Sequence, residues 1–426
     1  MLKSVILAAG KGTRMKSDTP KVLHTIFDKT LVGYVIEAVN KTGLADENFV
    51  IVGHQAERVE DYITKTYSNA KCVLQSPQLG TGHAVSMVLP YLNDFEGEVV
   101  ILCGDTPLVT SETLKEFVDT HNSKGSDLTV MSANFENPTN YGRIVRNSDG
   151  SLNSIVEEKD ANAEQKAIKE VNAGIYCLNW AKIKNAFGQL KTNNAQGEYY
   201  LTDIIKWANE EGLKVDAYTL KNNEEIFGIN SKAHLAEATK MLNKRILNKH
   251  LENGVTIIDP DTTWISDDTE IEADTIIYPS TYITGKNKIG KNCKIGPFAH
   301  LRGDVVLEDN VKIGNFVEIK KTTIKSNTNA CHLSYLGDSE IGSEVNIGAG
   351  TITANYNPLT KVKSKTIIGN EVKIGSNSVL VAPVEIREGA NVAALSVITK
   401  DIPAWALAIT RSPLKILEDW VKKFKK

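Results

Sequence analysis

The sequence predicts two architectures in one chain: an α/β domain with a mostly parallel sheet, then a parallel β-helix of hexapeptide repeats. Three observations carry this. From Ile265 to Ile319 an aliphatic residue recurs at every sixth position without interruption. Before that stretch, continuous apolar runs alternate with helix-like segments. The chain has 426 residues, more than one ordinary core holds, so two domains are expected.

The first strand is Ser4-Val5-Ile6-Leu7, which runs straight into Ala8-Ala9-Gly10-Lys11-Gly12-Thr13-Arg14. Further strands are expected at Phe49 to Gly53, Cys72 to Leu74 and Val99 to Cys103, with helices at Ala56 to Lys65 and Gly82 to Leu89. Apolar strands without polar alternation belong to a sheet covered on both faces. Ligands of such sheets bind beyond the carboxyl ends of the strands, where Gly10 and Asp105 fall. Domain boundaries are expected at 1–228, a linker helix over 229–253, and 254–426. Ser231 is a plausible N-cap of that helix, Leu235, Ala238, Leu242 and Ile246 share its apolar face, and Gly254 ends it.

The hexads run Ile265, Ile271, Ile277, Ile283, Ile289, Ile295, Leu301, Leu307, Ile313, Ile319. A period of 3.6 would scatter these residues around a helix, whereas six is a multiple of the strand period of two. Such a period is the signature of a parallel β-helix. The register slips at Ile324 and Ile341, breaks over Asn355 to Lys365, and resumes at Ile368. A break in so regular a pattern marks a surface loop or a site. Beyond Pro413, Leu414, Leu417, Trp420, Val421 and Phe424 read as an amphipathic segment that should pack on a neighbouring coil or subunit.

Composition excludes several classes. A net charge of −3 carries no nucleic-acid footprint. No run of about 18 apolar residues offers a membrane span. Val5 to Ala9 is too short for a signal peptide, and five scattered cysteines without a CxxC pair suit reduced thiols. A cytoplasmic location is expected.

Gly10-Lys11-Gly12-Thr13-Arg14 after a strand suggests a phosphate loop, since glycines admit backbone amides to an anion and Arg14 adds a charged fork. It matches neither GxxxxGK[ST] nor GxGxxG, which weighs against ATPase and NAD chemistry. Asp105, just past a buried strand, suits a metal ligand, with a turn cap at Asp105-Thr106-Pro107 as the bland alternative. His332 suits a proton acceptor near neutral pH. Lys320 and Lys321 interrupt the coils with charge.

Leu7 to Met15, Pro20-Lys21, Gln75 with Gly80-Thr81-Gly82-His83-Ala84, Gly104-Asp105, Tyr141-Gly142-Arg143, Glu157 to Asp160, Asn172-Ala173-Gly174, Asn194 to Tyr200 and Gly228-Ile229-Asn230 resemble the sugar-nucleotidyltransferase signature. With the hexads, His332 to Asp338, Asn346 to Gly350 and Asn355-Tyr356 behind them, nearly the whole chain resembles the bifunctional GlmU family. That resemblance implies a Rossmann-like nucleotidyltransferase fold and a left-handed β-helix in a cytoplasmic bacterial enzyme that makes UDP-N-acetylglucosamine. It implies acetyl transfer from acetyl-CoA to glucosamine 1-phosphate, then transfer of UMP from UTP to N-acetylglucosamine 1-phosphate. Leu7, Ala8, Ala9, Gly10, Gln75, Gly80 and Thr81 would hold uracil and ribose. Arg14 and Lys21 would neutralise the triphosphate, and Asp105 and Asn230 would bind Mg²⁺. Gly142, Glu157, Asn172 and Asn230 would hold the amino sugar.

In the second half the resemblance assigns proton transfer to His332 and sugar-phosphate binding to Arg302, Lys320, Tyr335 and Asn346. Ala349, Asn355, Tyr356, Ser376, Ala394 and Arg411 would line the acetyl-CoA site. A homotrimer with the acetyl site between subunits is also implied. The chain departs from the family pattern at Cys103 (commonly tyrosine), Gly303 (proline) and Leu395 (glycine), and its prism is shorter by about two coils before Arg302. One alternative is a monofunctional nucleotidyltransferase with a structural β-helix, and another is a non-enzymatic scaffold.

Overall fold

The computed structural model describes residues 2–425. It divides into two compact units that meet between Met241 and Leu242, inside the helix Lys232–Glu252.

The first unit is a twisted sheet with helices on both faces. Its strands are β1 (Leu2–Leu7), β2 (Ala45–Val52), β3 (Ala70–Leu74), β4 (Glu98–Cys103), β5 (Leu128–Asn134), β6 (Arg143–Arg146), β7 (Leu152–Val156), β8 (Glu170–Asn179) and β9 (Val215–Thr219). The order is β9-β5-β8-β4-β1-β2-β3, with β6 and β7 as a hairpin on the edge of β8. β1 lies parallel to both β2 and β4, and Leu7 is opposite Ile51 on one side and Cys103 on the other. β8 is antiparallel to β4 and β5, so the sheet is mixed rather than wholly parallel. Successive side chains of the central strands feed two cores. Ile6, Val50, Val100 and Leu102 pack on one face, and Val5, Phe49, Ile51 and Ile101 on the other. Burial on both faces is why these strands carry no polar alternation.

The helix expected over Gly82 to Leu89 is shorter, Thr81–Ser86, followed by a 3-10 turn at Leu89–Tyr91. Pro90 lacks the amide that another α turn would need. Ser231 caps the long helix as expected: its hydroxyl accepts from His234 N at 3.2 Å. Gly254 closes the helix with φ +88°.

In the second unit every strand pairing is parallel, and most strands have two to four residues. All ten hexad aliphatics from Ile265 to Ile319 are buried. Leu301 stacks over Ile319, a coil of 18 residues. The two slips have one cause. The strands Glu318–Ile324 and Tyr335–Ile341 run unbroken around a corner that elsewhere separates two short strands. They pair with each other from Glu318↔Tyr335 to Ile324↔Ile341, so the shortened corners stack and the two strands stay in register. The break is an insertion at that same corner. Ser339 pairs with Thr366, which extrudes residues 355–365 as a loop closed by a Tyr356↔Lys363 bridge.

At the end of the chain, the expected apolar segment is uncovered by its own chain. Leu414 is 86% exposed, and Leu417, Trp420, Val421 and Phe424 are all exposed, with one 3-10 turn at Trp420–Phe424. These side chains do not pack on a coil of their own chain, because the last coil ends at Leu407–Ala408 and the segment beyond leaves it. No helix among the described residues is long and apolar enough to cross a membrane.

The corners of the prism are sharp, and many hold a residue with positive φ. Leu395 is one, with φ +61° and 62% exposure. A leucine there presses Cβ toward the following carbonyl, at roughly 1–2 kcal/mol. Leu395→Gly should raise stability by about 1 kcal/mol, the residual after glycine's extra chain entropy. Thermal unfolding checks this, and a lowered midpoint would show that the exposed side chain contributes more than its backbone costs.

Candidate functional site

Between the carboxyl ends of β1, β3 and β4 lies a cavity of about 440 Å³. Leu7, Ala8, Ala9, Gly10, Lys21, Gln75, Gly80, Thr81 and Asp105 line it, so most of the residues expected to meet the nucleotide share one cavity. Their positions follow from the sheet. Ala8 N donates to Ile51 O at 2.9 Å and Gly104 N to Leu7 O at 2.9 Å, which holds the first turn and the Asp105 turn at one level.

Two glycines shape the walls. Gly12 has φ +60°, and a Cβ there would lie 2.7 Å from Lys21 Cβ; its absence lets the lysine stem cross the turn. Gly80 has φ +113°, and a Cβ would stand 2.6 Å from Tyr199 O. The Gly80 loop is tied to that neighbour by Tyr199 N donating to Leu79 O and Gly82 N donating to Tyr199 O, each at 2.8 Å.

At the floor, the Lys21 ammonium is ion-paired to the Asp105 carboxylate and donates to Asn230 Oδ1 at 3.2 Å. Asn230 is brought there because Ile229 N donates to Asp105 O at 2.9 Å. Two hard oxygens thus converge on one cationic group, which is the donor chemistry Mg²⁺ selects: few protein oxygens, with substrate phosphate supplying others. Lys21 lies nearer these oxygens than an expectation of phosphate binding alone implies. Arg14 is exposed on the 3-10 turn Thr13–Met15, does not line the cavity, and makes no ion pair among the described residues.

Gly142, Glu157 and Asn172 form a second group. Asn172 N donates to Gly142 O at 2.9 Å, Asn172 Nδ2 donates to Tyr176 OH at 2.8 Å, and a Cβ on Gly142 would lie 3.5 Å from both Glu157 carboxylate oxygens. Burial, opposed by the Thr202 hydroxyl and helped by Asp160 and Asp203, holds the Glu157 carboxyl above the usual range. Sequence reasoning missed Gln78 and Glu198 as lining residues. Gln78 donates to Ala9 O at 2.8 Å, and no periodicity marks it, although Glu198 lay inside a recognised motif. Cys103 also lines the cavity. Burial first, then the Asp105 charge, pushes its thiol up to about 12 against the opposing effect of Lys21, so it acts as a neutral packing group.

In the prism the candidates follow two corner lines. His332 ends the strand Asn329–His332 and is exposed. Ala349, Ser376 and Ala394 succeed it along the stack: Asn377 N donates to Ala349 O and Leu395 N to Ser376 O. Arg411 NH1 donates to Ala394 O at 2.8 Å. Across the corner Ser334, Tyr335 opens the next strand, and Lys320 stands opposite Gly337. Asn355 donates to Asp338 and reaches Tyr335 OH at 3.4 Å. Arg302 is held by Glu318 at 2.6 Å. Asn346 lies on the His332 sheet, and Tyr356 on the exposed loop. Asn355 is buried beneath them, whereas His332, Arg302, Ser376 and Tyr356 are exposed on an open flank.

Comparison with known proteins accords with the two folds. Residues 3–251 match the nucleotidyl transferase family, and residues 288–321 and 365–400 match the bacterial transferase hexapeptide (six repeats) family. The bifunctional protein GlmU of Acetivibrio thermocellus is 45% identical over 99% of this chain and 97% of its own length. That of Caldanaerobacter subterraneus subsp. tengcongensis is 46% identical over 99% and 98%, and that of Clostridium acetobutylicum 43% over 99% and 98%. The chain belongs to the GlmU family. It is a transferase with a nucleotidyltransferase half and a hexapeptide half. The alignment with the first of these GlmU proteins spans 455 positions, more than the 426 residues here, so that relative carries segments this chain lacks.

Gly80→Ala should force the 79–81 loop off Tyr199 and lower nucleoside triphosphate affinity at least about tenfold, because a Cβ contact at 2.6 Å requires backbone movement. Calorimetric titration measures this, and unchanged affinity would show that the loop does not shape the pocket.

Proposed function

We propose that this chain synthesises UDP-N-acetylglucosamine in two steps on two separate sites. In the hexapeptide half, glucosamine 1-phosphate takes an acetyl group from acetyl-CoA. In the α/β half, N-acetylglucosamine 1-phosphate takes UMP from UTP and pyrophosphate leaves. The observation that carries this reading is the pair of oxygens, Asp105 and Asn230, gathered around one cation at the mouth of the glycine turn.

For uridylyl transfer, the sugar phosphate oxygen attacks the α-phosphorus of UTP. Two polyanions must approach, so the chain's work is to hold them in line and to spread charge. Asp105 and Asn230 would hold Mg²⁺, whose contribution when bound is to offset the phosphate charge. Lys21 and Arg14 supply cations from the chain. Leu7 to Gly10, Gln75, Gly80 and Thr81 hold the nucleoside, while Gly142, Glu157 and Asn172 hold the acetylated sugar.

For acetyl transfer, His332 takes a proton from the ammonium group of the sugar, and the free amine attacks the thioester carbonyl with CoA leaving. Imidazole suits this because its unperturbed pKa lies near working pH. Arg302, Lys320, Tyr335 and Asn346 bind the phosphorylated sugar. Ala349, Asn355, Tyr356, Ser376, Ala394 and Arg411 receive acetyl-CoA. The outward flank on which these residues stand, and the uncovered apolar tail, favour completion of the site by neighbouring copies in a homotrimer. A cytoplasmic location supplies both co-substrates.

Two tests follow. Asp105→Ala should lower uridylyl transfer at least about 100-fold and spare acetyl transfer, with His332→Ala doing the reverse. Loss of both activities in either folded variant would refute two independent sites. Lys21→Met should tighten Mn²⁺ binding measured by electron paramagnetic resonance without nucleotide, since the ammonium competes for the same oxygens. Weaker binding would show that Lys21 helps to build the metal site.

A further inference from the structure

The Gln75 amide is 4% exposed and lines the nucleotide cavity. Its Nε2 donates to Gly80 O at 3.0 Å and lies 3.1 Å from His83 Nδ1. A peptide carbonyl only accepts, so nitrogen must face Gly80. The second amide hydrogen then points to His83 Nδ1, which must offer a lone pair, and the ring proton resides on Nε2. With both hydrogens engaged, Oε1 is the atom of this amide left for a ligand. A reversed amide would set Oε1 against the Gly80 carbonyl, and His83 could meet it only by moving its ring proton to Nδ1. His83 itself does not line the cavity. It sits on the helix Thr81–Ser86, one turn behind the Gly80 loop.

We propose that His83 is a positioning residue for base selection: it locks the Gln75 amide so that an acceptor, and not a donor, faces the nucleobase. This rests on the reading of Gln75 as a base contact. An acceptor pairs with the N3–H of uracil. Cytosine presents a lone pair at N3, so two acceptors would meet and a buried oxygen would lose its partner. Sites that hydrogen-bond one group discriminate most strongly against the analogue lacking it. His83 therefore acts on the choice between two pyrimidines without touching either.

The test compares kcat/KM for UTP and CTP, read as pyrophosphate release with N-acetylglucosamine 1-phosphate, in the full chain. His83→Ala should lower the UTP:CTP ratio roughly 3- to 10-fold, the worth of one intramolecular hydrogen bond. His83→Asn, which can return an acceptor toward Gln75 Nε2, should restore the ratio to within about twofold. A ratio unchanged in His83→Ala, or an Asn variant as impaired as the Ala variant, overturns the proposal. Gln75→Ala separates the two layers. If it leaves the ratio intact, Gln75 does not read the base at all. If it collapses the ratio while His83→Ala does not, only the role of His83 fails.

Discussion

The contact of one ammonium with two oxygens, Lys21 with Asp105 and Asn230, depends on nearly everything in the first unit. Lys21 reaches the floor because Gly12 has no side chain in its path. Asp105 is there because β4 lies parallel to β1 and ends level with it, Cys103 opposite Leu7. Asn230 arrives from far along the chain, carried by the hydrogen bond from Ile229 to the Asp105 carbonyl. A like-charged floor would repel polyphosphate and an uncharged one would hold no metal. An internal ion pair keeps a part-buried carboxylate compensated, at less cost than leaving it alone.

The prism obeys a different constraint. Each coil must present its aliphatic residue to the same axis, so an insertion or deletion is tolerated only where its neighbours absorb it. The shortened corners at Lys321 and Asp338 lie directly over one another, and the 355–365 loop leaves from the same line. Several candidate residues, Lys320, Tyr335 and Asn355, cluster beside these irregular corners. Regular coils carry the core, and departures from regularity carry polar groups that a plain coil has no use for.

Much of this was legible in the sequence. The hexads from Ile265 to Ile319 announced their burial because one side chain per strand has nowhere else to go. The four apolar strands of the α/β half were equally plain, since burial on both faces leaves no room for polar residues. Other features were hidden by tertiary contact. The antiparallel turn of β8 leaves no mark in its composition. Gln78 and the side of Gln75 that faces the cavity depend on carbonyls at Ala9 and Gly80, distant or conformationally special. Leu395 stands where the family pattern has glycine, and only the backbone shows that its corner has positive φ. The tail reads as amphipathic, and its apolar face meets nothing within one chain.

The central claim is that a divalent cation binds at the Asp105 and Asn230 oxygens when substrate is present. Anomalous diffraction from crystals grown with Mn²⁺ and UDP-N-acetylglucosamine addresses it directly. One strong peak is expected within coordination distance of both oxygens, with the Lys21 ammonium moved away toward phosphate. A peak at the Glu98, His121 and Cys177 cluster instead, with the Lys21 and Asp105 pair undisturbed, would overturn it.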